Sequence, residues 1–338
     1  MNRRRSYVSL VLTAVALVAV GSMILPMVDS GAELTQMRNA FIAVPGESQH
    51  FDWRPDEVPE GFLVERAEPP EEFRLAVSNV LGEEPKDASN FERTLALARH
   101  LASGPGPGEG VKASTRESYR AILTEERGYC SDYTQVMNGL AHTAEIPVRE
   151  WGMSFDDYSG RGHAFSEVYD DELGQWVFVD TFFSLYAVDP RDGAPLSVLQ
   201  LRDRLASGDD RTVEIRKIDP ERFGFKTPER AAAYYREGAE RFFLYYGNNV
   251  FSYDANEAVA ALSGLSRAAE ETLGILFNIR PDIRLFPTGK NEPGMQALFA
   301  RRRRFLMLIA VAGILTAVVF FQLIAIARRP GPPTPHRA

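Results

Sequence analysis

The sequence predicts an α+β protein held between two membrane-crossing helices, and three observations predict it. Cys130, the only cysteine in 338 residues, follows Gly128 and opens a segment whose apolar positions Tyr133, Val136, Met137, Leu140 and Ala144 share one helical face. Residues 164–169 alternate and residues 176–180 are apolar and aromatic. Between them Asp170-Asp171-Glu172-Leu173-Gly174 reads as a hairpin turn. Finally, residues 7–27 and 305–327 carry no charge, and as helices each rises about 30 Å or more, enough for a bilayer core.

Composition narrows the function classes. The apolar fraction of 45% permits a sizeable core. A single cysteine excludes an intramolecular disulfide and any multi-cysteine metal site. All 46 acidic residues lie in 28–300; of the 38 Lys and Arg, ten lie in the two ends, leaving 28 in the middle and a net charge of −18 there. That middle is a poor partner for nucleic acid, because phosphate binding needs clustered positive charge. The basic ends beside apolar runs are a membrane signature.

Taken in order, residues 1–27 read as an N-terminal transmembrane anchor. The small residues Ser30-Gly31-Ala32 leave a cleaved signal peptide as the rival reading. Residues 28–88 form an acidic, proline-rich extension with no evident chemistry. Residues 89–190 are the expected catalytic core. There Ser89 to Glu92 and Ser114 to Glu117 are capping boxes opening helices at 90–102 and 115–123. The Cys130 helix stops before Ile146-Pro147, residues 146–151 read as a strand, and 152–162 as a polar loop. Residues 191–300 read as a mainly helical extension: a helix at 197–206, a short strand at 213–218, a helix from Pro228 to about 245 and another at 256–277. A second spanning helix, 305–327, and a tail, 328–338, close the chain. Two spans put both ends on one side, and Arg3 to Arg5 favour the inside for them. Arg301 to Arg304 oppose that orientation, which the rule tolerates beside a long loop. The soluble domain is therefore expected on the outer face, periplasmic in a bacterium.

A thiol, an imidazole and a carboxylate occur in the order Cys130, His163, Asp180. At a helix start, unpaired backbone N–H groups and the helix dipole favour a thiolate. If the hairpin centres on Asp171 and Glu172, His163 lies opposite Asp180, Phe165 opposite Phe178 and Glu167 opposite Trp176, which sets a carboxylate on an imidazole. The bland alternative is a core helix feeding a strand, with Cys130 a small buried hydrophobe.

The pieces Gly-Tyr-Cys-Ser-Asp-Tyr around Cys130, Glu-Ile-Pro-Val-Arg at 145–149, Gly-His-Ala-Phe-Ser-Glu-Val-Tyr at 162–169 and Gln-Trp-Val-Phe-Val-Asp-Thr at 175–181 resemble the transglutaminase-like superfamily. The resemblance implies a papain-like α+β core, with a nucleophile helix packed on an antiparallel sheet. It implies Cys130 as nucleophile, His163 as base and Asp180 as the orienting carboxylate, with Arg149 structural. Phe165 and Thr181 depart from the family's frequent Trp and Pro without removing a catalytic group. The implied chemistry is acyl transfer from a peptide or protein amide, with no cofactor and no metal.

Two other readings stay open. One is a non-catalytic binding or assembly module on the same fold, serving envelope or exopolysaccharide machinery through an unidentified membrane partner. The other is a metal site of His163 with Asp156, Asp157 or Asp170, disfavoured by sparse histidines. His142 is expected on a solvated helix flank, and His50, His100 and His336 without partners.

Overall fold

The computed structural model describes residues 3–328 except 86, 112, 157, 258, 260–272 and 276. Helices α1 (Arg3–Ile24) and α2 (Gly31–Ile42) lead into β1 (Ala43–Pro45), and α3 (Glu71–Leu81), α4 (Asn90–Ala102), α5 (Thr115–Thr124) and α6 (Cys130–Thr143) follow. Strands β2 (Val148–Ser154), β3 (Gly162–Asp170), β4 (Gln175–Asp180) and β5 (Leu185–Val188) come next, then α7 (Val198–Ala206), β6 (Glu214–Lys217), α8 (Pro228–Gly238), β7 (Phe242–Tyr245), α9 (Val250–Asp254), β8 (Ile283–Leu285) and α10 (Glu292–Ala327).

The helix starts follow from local chemistry. Ser89 accepts from the Glu92 N–H while Glu92 accepts from that of Ser89, and Ser114 with Glu117 and Ser197 with Gln200 repeat the arrangement. Each satisfies two backbone donors that a helix start leaves open. Thr227 caps α8, with Pro228 in the first turn.

The eight strands form one sheet in the order β1-β8-β7-β2-β3-β4-β5-β6. Every pairing is antiparallel except β1 with β8. One face packs on α6, whose Val136, Met137 and Leu140 meet Val148, Val168, Val177 and Val179. On the other face Trp151, Phe165 and Phe178 pack with Leu201 of α7, Tyr235 of α8, and Phe51, Trp53 and Phe62 of the N-terminal segment.

Several expectations need correction. The β3–β4 hairpin pairs Glu167 with Phe178, Tyr169 with Trp176 and Asp170 with Gln175, so its register is two residues from the expected one. The cause is a four-residue loop. Gly174 adopts φ +63°, and the Asp170 carboxylate accepts from the Leu173 N–H at 2.9 Å. Strand β2 runs on to Ser154 into the expected loop. The helix beginning at Pro228 ends at Gly238, and Phe242–Tyr245, expected to be helical, is strand β7 between β8 and β2. Much of the helix expected at 256–277, Asp157, the tail from 329 and His336 lie outside the described residues. Residues 28–88 hold α2, β1 and α3, none of which the sequence suggested.

Helices α1 and α10 are long and apolar enough to cross a membrane, and they pack antiparallel. The Gln322 amide donates to Ser9 Oγ at 3.0 Å and to Thr13 Oγ1 at 3.3 Å across the pair.

Among the described residues, Arg149–Glu167 is a fully buried ion pair. Glu167 Oε2 accepts from Arg149 Nε and Trp151 Nε1, both at 2.6 Å, and Oε1 accepts from the Val198 N–H at 2.7 Å. The guanidinium lies over Trp176, 4.2 Å from a ring centroid. Removing one member of a buried pair strands the other charge, at a cost of about 3–5 kcal/mol. Arg149→Met alone should therefore lower the unfolding free energy of the detergent-solubilised protein by that order, read as a fall in its urea midpoint. Adding Glu167→Gln should recover a substantial part of the loss.

Candidate active site

Cys130 is the first residue of α6, reached through a turn that only glycine adopts without strain. Gly128 has φ +132°, and a Cβ there would come within 3.0 Å of Ile122 and 3.1 Å of Tyr133. The Asp132 carboxylate accepts from the Tyr129 N–H at 2.8 Å and the Val111 N–H at 3.2 Å, which ties the loop before Cys130 to the first helical turn. The thiol is half-buried.

His163 stands near the start of β3 and Asp180 at the end of β4. Side chains alternate along β3. Ala164, Ser166 and Val168 therefore face α6, while His163, Phe165 and Glu167 face the opposite layer. Cys130 meets the imidazole where α6 and β3 both begin. His163 Nε2 is hydrogen-bonded to Asp180 Oδ2, which leaves Nδ1 for the thiol, and the ring also interacts with Cys130. The structure thus brings Cys130, His163 and Asp180 together. The observed register places Asp180 diagonally from His163 on the same face, not directly opposite.

Asp180 is fully buried and has two further donors. Tyr235 Oη of α8 donates to Oδ2, and the Phe183 N–H donates to Oδ1 at 2.9 Å. The His163 ring is enclosed by Phe183 at 4.6 Å between centroids, Tyr234 at 5.7 Å, Phe182 at 5.8 Å and Phe165 at 6.0 Å. Sequence reasoning missed Tyr235 and Tyr234. The available signal was that a buried carboxylate needs more donors than one imidazole supplies.

Burial works to lower the His163 pKa, but the charge and hydrogen bond of Asp180, aided by Cys130, outweigh it and hold the imidazole up to about 10. The Asp180 charge thus favours the imidazolium form of the ring. Burial, with the Asp180 charge and hydrogen bond, raises the Tyr235 hydroxyl well above its ordinary value, so it remains a donor.

A cavity of about 850 Å³ adjoins Cys130 and His163 and reaches Arg38, Glu150, Tyr245 and Arg280. Glu150 lies on the α6 face of β2, where Asn138 Nδ2 donates to it at 3.1 Å. Burial pushes its carboxyl up to about 8 against the pull of Arg280 and Asn138, so it is largely neutral at pH 7. Among the described residues no group of three or more His, Cys, Asp and Glu is placed to hold a metal ion. Asp170 is engaged in the hairpin turn and with the Phe91 N–H, and Asp156 with Ser154 and Ser159.

Residues 80–181 match the family model of the transglutaminase-like superfamily. The matched segment contains Cys130, His163 and Asp180, and its likeness to that superfamily supports a cysteine acyl-transfer fold. No curated protein and no solved structure matches the chain.

The other histidines differ in part from expectation. His142 is half-buried, with an edge contact to Phe251 at 6.2 Å. His50 Nδ1 accepts from the Glu47 N–H at 2.8 Å, and His100 Nε2 is 2.8 Å from Tyr119 Oη.

A histidine whose pKa is raised on folding stabilises fully below its unfolded value of 6.5, and that stability is lost as pH rises through about 10. His163→Gln should accordingly cost stability on the order of a few kcal/mol near pH 6. The difference from wild type should shrink steadily as pH is raised from about 7 to 10 in thermal melts.

Proposed function

We propose that this chain is a membrane-anchored cysteine acyl-transfer enzyme acting on a peptide amide. The observation that carries the reading is the His163 ring, bonded on one side to a fully buried Asp180 and interacting on the other with a half-buried thiol at a helix N-terminus. Cys130 is the nucleophile, His163 the proton carrier and Asp180 its orienting partner. Tyr235 is a positioning residue: its hydroxyl donates to Asp180 and its ring meets the imidazole edge-on at 6.1 Å.

The reacting form is the Cys130 thiolate, with the His163 imidazolium beside it as the proton donor. The thiolate attacks the amide carbonyl, and the developing oxyanion takes the Cys130 N–H as one donor. His163 gives its proton to the leaving amine as the C–N bond breaks, which leaves a thioester and a neutral imidazole. That imidazole accepts a proton from water or from an acceptor amine as it attacks the thioester, and the thiolate is regenerated. Water yields hydrolysis; an amine yields transamidation. Asp180 keeps the ring tautomer that presents Nδ1 to sulfur throughout. Helices α1 and α10 span the membrane in this reading, with both chain ends on one side and the catalytic body on the outer face.

The test is the pH dependence of iodoacetamide alkylation, which a single cysteine makes unambiguous. Wild type should react at pH about 6 nearly as fast as at pH about 8, while His163→Ala should lose at least about tenfold at the lower pH and follow an ordinary thiol titrating near 8.5. Tyr235→Phe should move the profile in the same direction and by less. A wild-type profile that already follows an ordinary thiol, and does not move in His163→Ala, refutes the proposal.

A further inference from the structure

Helix α2 joins the candidate site to the membrane-crossing pair. On one side it is fastened where the apolar runs end. Arg301 of α10 donates to the Met27 carbonyl at 3.0 Å and pairs with Glu33 of α2, and Phe41 meets Phe305 edge-on at 6.0 Å. Phe305 is the first residue of the charge-free stretch of α10. Contacts at both Glu33 and Phe41 set α2 beside the point where the charge-free stretch of α10 begins. Ala40 and Ile42 of α2 share a buried cluster with Met295 and Leu298 of α10 and with Phe243 and Leu285 of the sheet. Because α10 is a single helix from Glu292 to Ala327, the same rigid rod packs in the body and crosses the apolar layer.

On its other side α2 reaches the site. Asn39 Nδ2 donates to the Tyr158 carbonyl at 2.9 Å, and Thr35 fills the space over Gly160, where an added Cβ would lie 2.6 Å from its Cγ2. Tyr158 and Gly160 belong to the loop that delivers His163. Thr35, Arg38 and Asn39 form a wall of the cavity whose other walls include Cys130 and His163. Helix α2, about 10–12 Å across with its side chains, thus stands between that cavity and the end of the charge-free stretch of α10.

We infer that the site works at the bilayer surface and takes as acyl donor a peptide segment lying next to its own membrane anchor. The inference rests on the acyl-transfer reading and on α1 and α10 spanning the bilayer. A flexible tether would let the body reach substrates far from the membrane. Here neither span has one: α1 passes through a single turn and three residues into α2, and α10 has no break. The cavity is held low, so an amide arriving from the plane of the membrane needs only a short extended reach.

The experiment places the full chain in phosphatidylcholine vesicles and uses two maleimides: soluble N-ethylmaleimide, and maleimide coupled to the headgroup of phosphatidylethanolamine. The native thiol is compared with Leu173→Cys in a Cys130→Ser background. Leu173 is exposed at the β3–β4 turn, beyond the far end of a strand that runs about 23 Å from His163 at 3.3 Å per residue. Dividing the lipid-tethered rate by the soluble rate for each thiol cancels its intrinsic reactivity. The expected ratio at Cys130 is at least about tenfold that at position 173, as the difference in reach requires. Equal ratios, a higher ratio at 173, or no tethered labelling of either thiol overturns the inference and points to soluble peptides. Vesicle flotation after carbonate washing reports separately on the spans, and the iodoacetamide pH profile separately on the chemistry.

Discussion

A carboxylate with no access to water constrains much of this molecule. Burying the charge of Asp180 costs several kcal/mol unless donors replace the water it loses. The three that do so come from separate places: His163 from β3, Tyr235 from α8 and the Phe183 N–H from the turn after β4. Satisfying one side chain therefore fixes β3, β4 and α8 relative to one another. It also fixes the tautomer of His163, and with it the nitrogen that faces Cys130. The segment that matches the family model ends at residue 181, yet Tyr234 and Tyr235, which enclose the imidazole and its partner, lie beyond it. The segment after residue 181 thus contributes to the candidate site.

A second buried carboxylate ties the chain's N-terminal segment to the same body. Glu65 accepts from the Arg66 and Ala67 N–H groups at 2.9 Å, from the Phe251 N–H at 2.5 Å and from the N–H and hydroxyl of Ser252. It supplies the start of α9 with the acceptors a helix N-terminus lacks. Strand β1, on β8, ties the two ends of the chain again within the sheet, and α1 packed on α10 does so outside it. The stretch that looks emptiest in the sequence thus supplies a sheet edge, a helix cap and a wall of the cavity.

Legibility followed the range of the interaction. The starts of α4 and α5 were readable because each capping box closes within four residues. Helix α6 was readable because its apolar face repeats with one period and Pro147 limits it. Strands β1, β5, β7 and β8 were not. Each has three or four residues, too few for a period, and three of them pair with strands far away in sequence. Residues 242–245 are apolar and aromatic and follow a real helix, so nothing local marks the change at Gly238. The order Cys130, His163, Asp180 and its family resemblance could be read in the sequence, whereas the contact of Tyr235 with Asp180, which spans 55 residues, could not.

The hairpin error shows why the candidate site survived an incorrect local reading. Lengthening the turn moved the β3–β4 register by two residues, and side chains on a strand repeat every two. An even shift therefore leaves each residue on its face, where a shift of one would have turned His163 and Asp180 away from each other. The two residues of slip changed a directly opposite pair into a diagonal one, whose Cβ atoms lie somewhat less than about 7–8 Å apart. An imidazole reaching toward a carboxylate spans that gap. The diagonal also leaves Asp180 within reach of Tyr235 and of the Phe183 N–H.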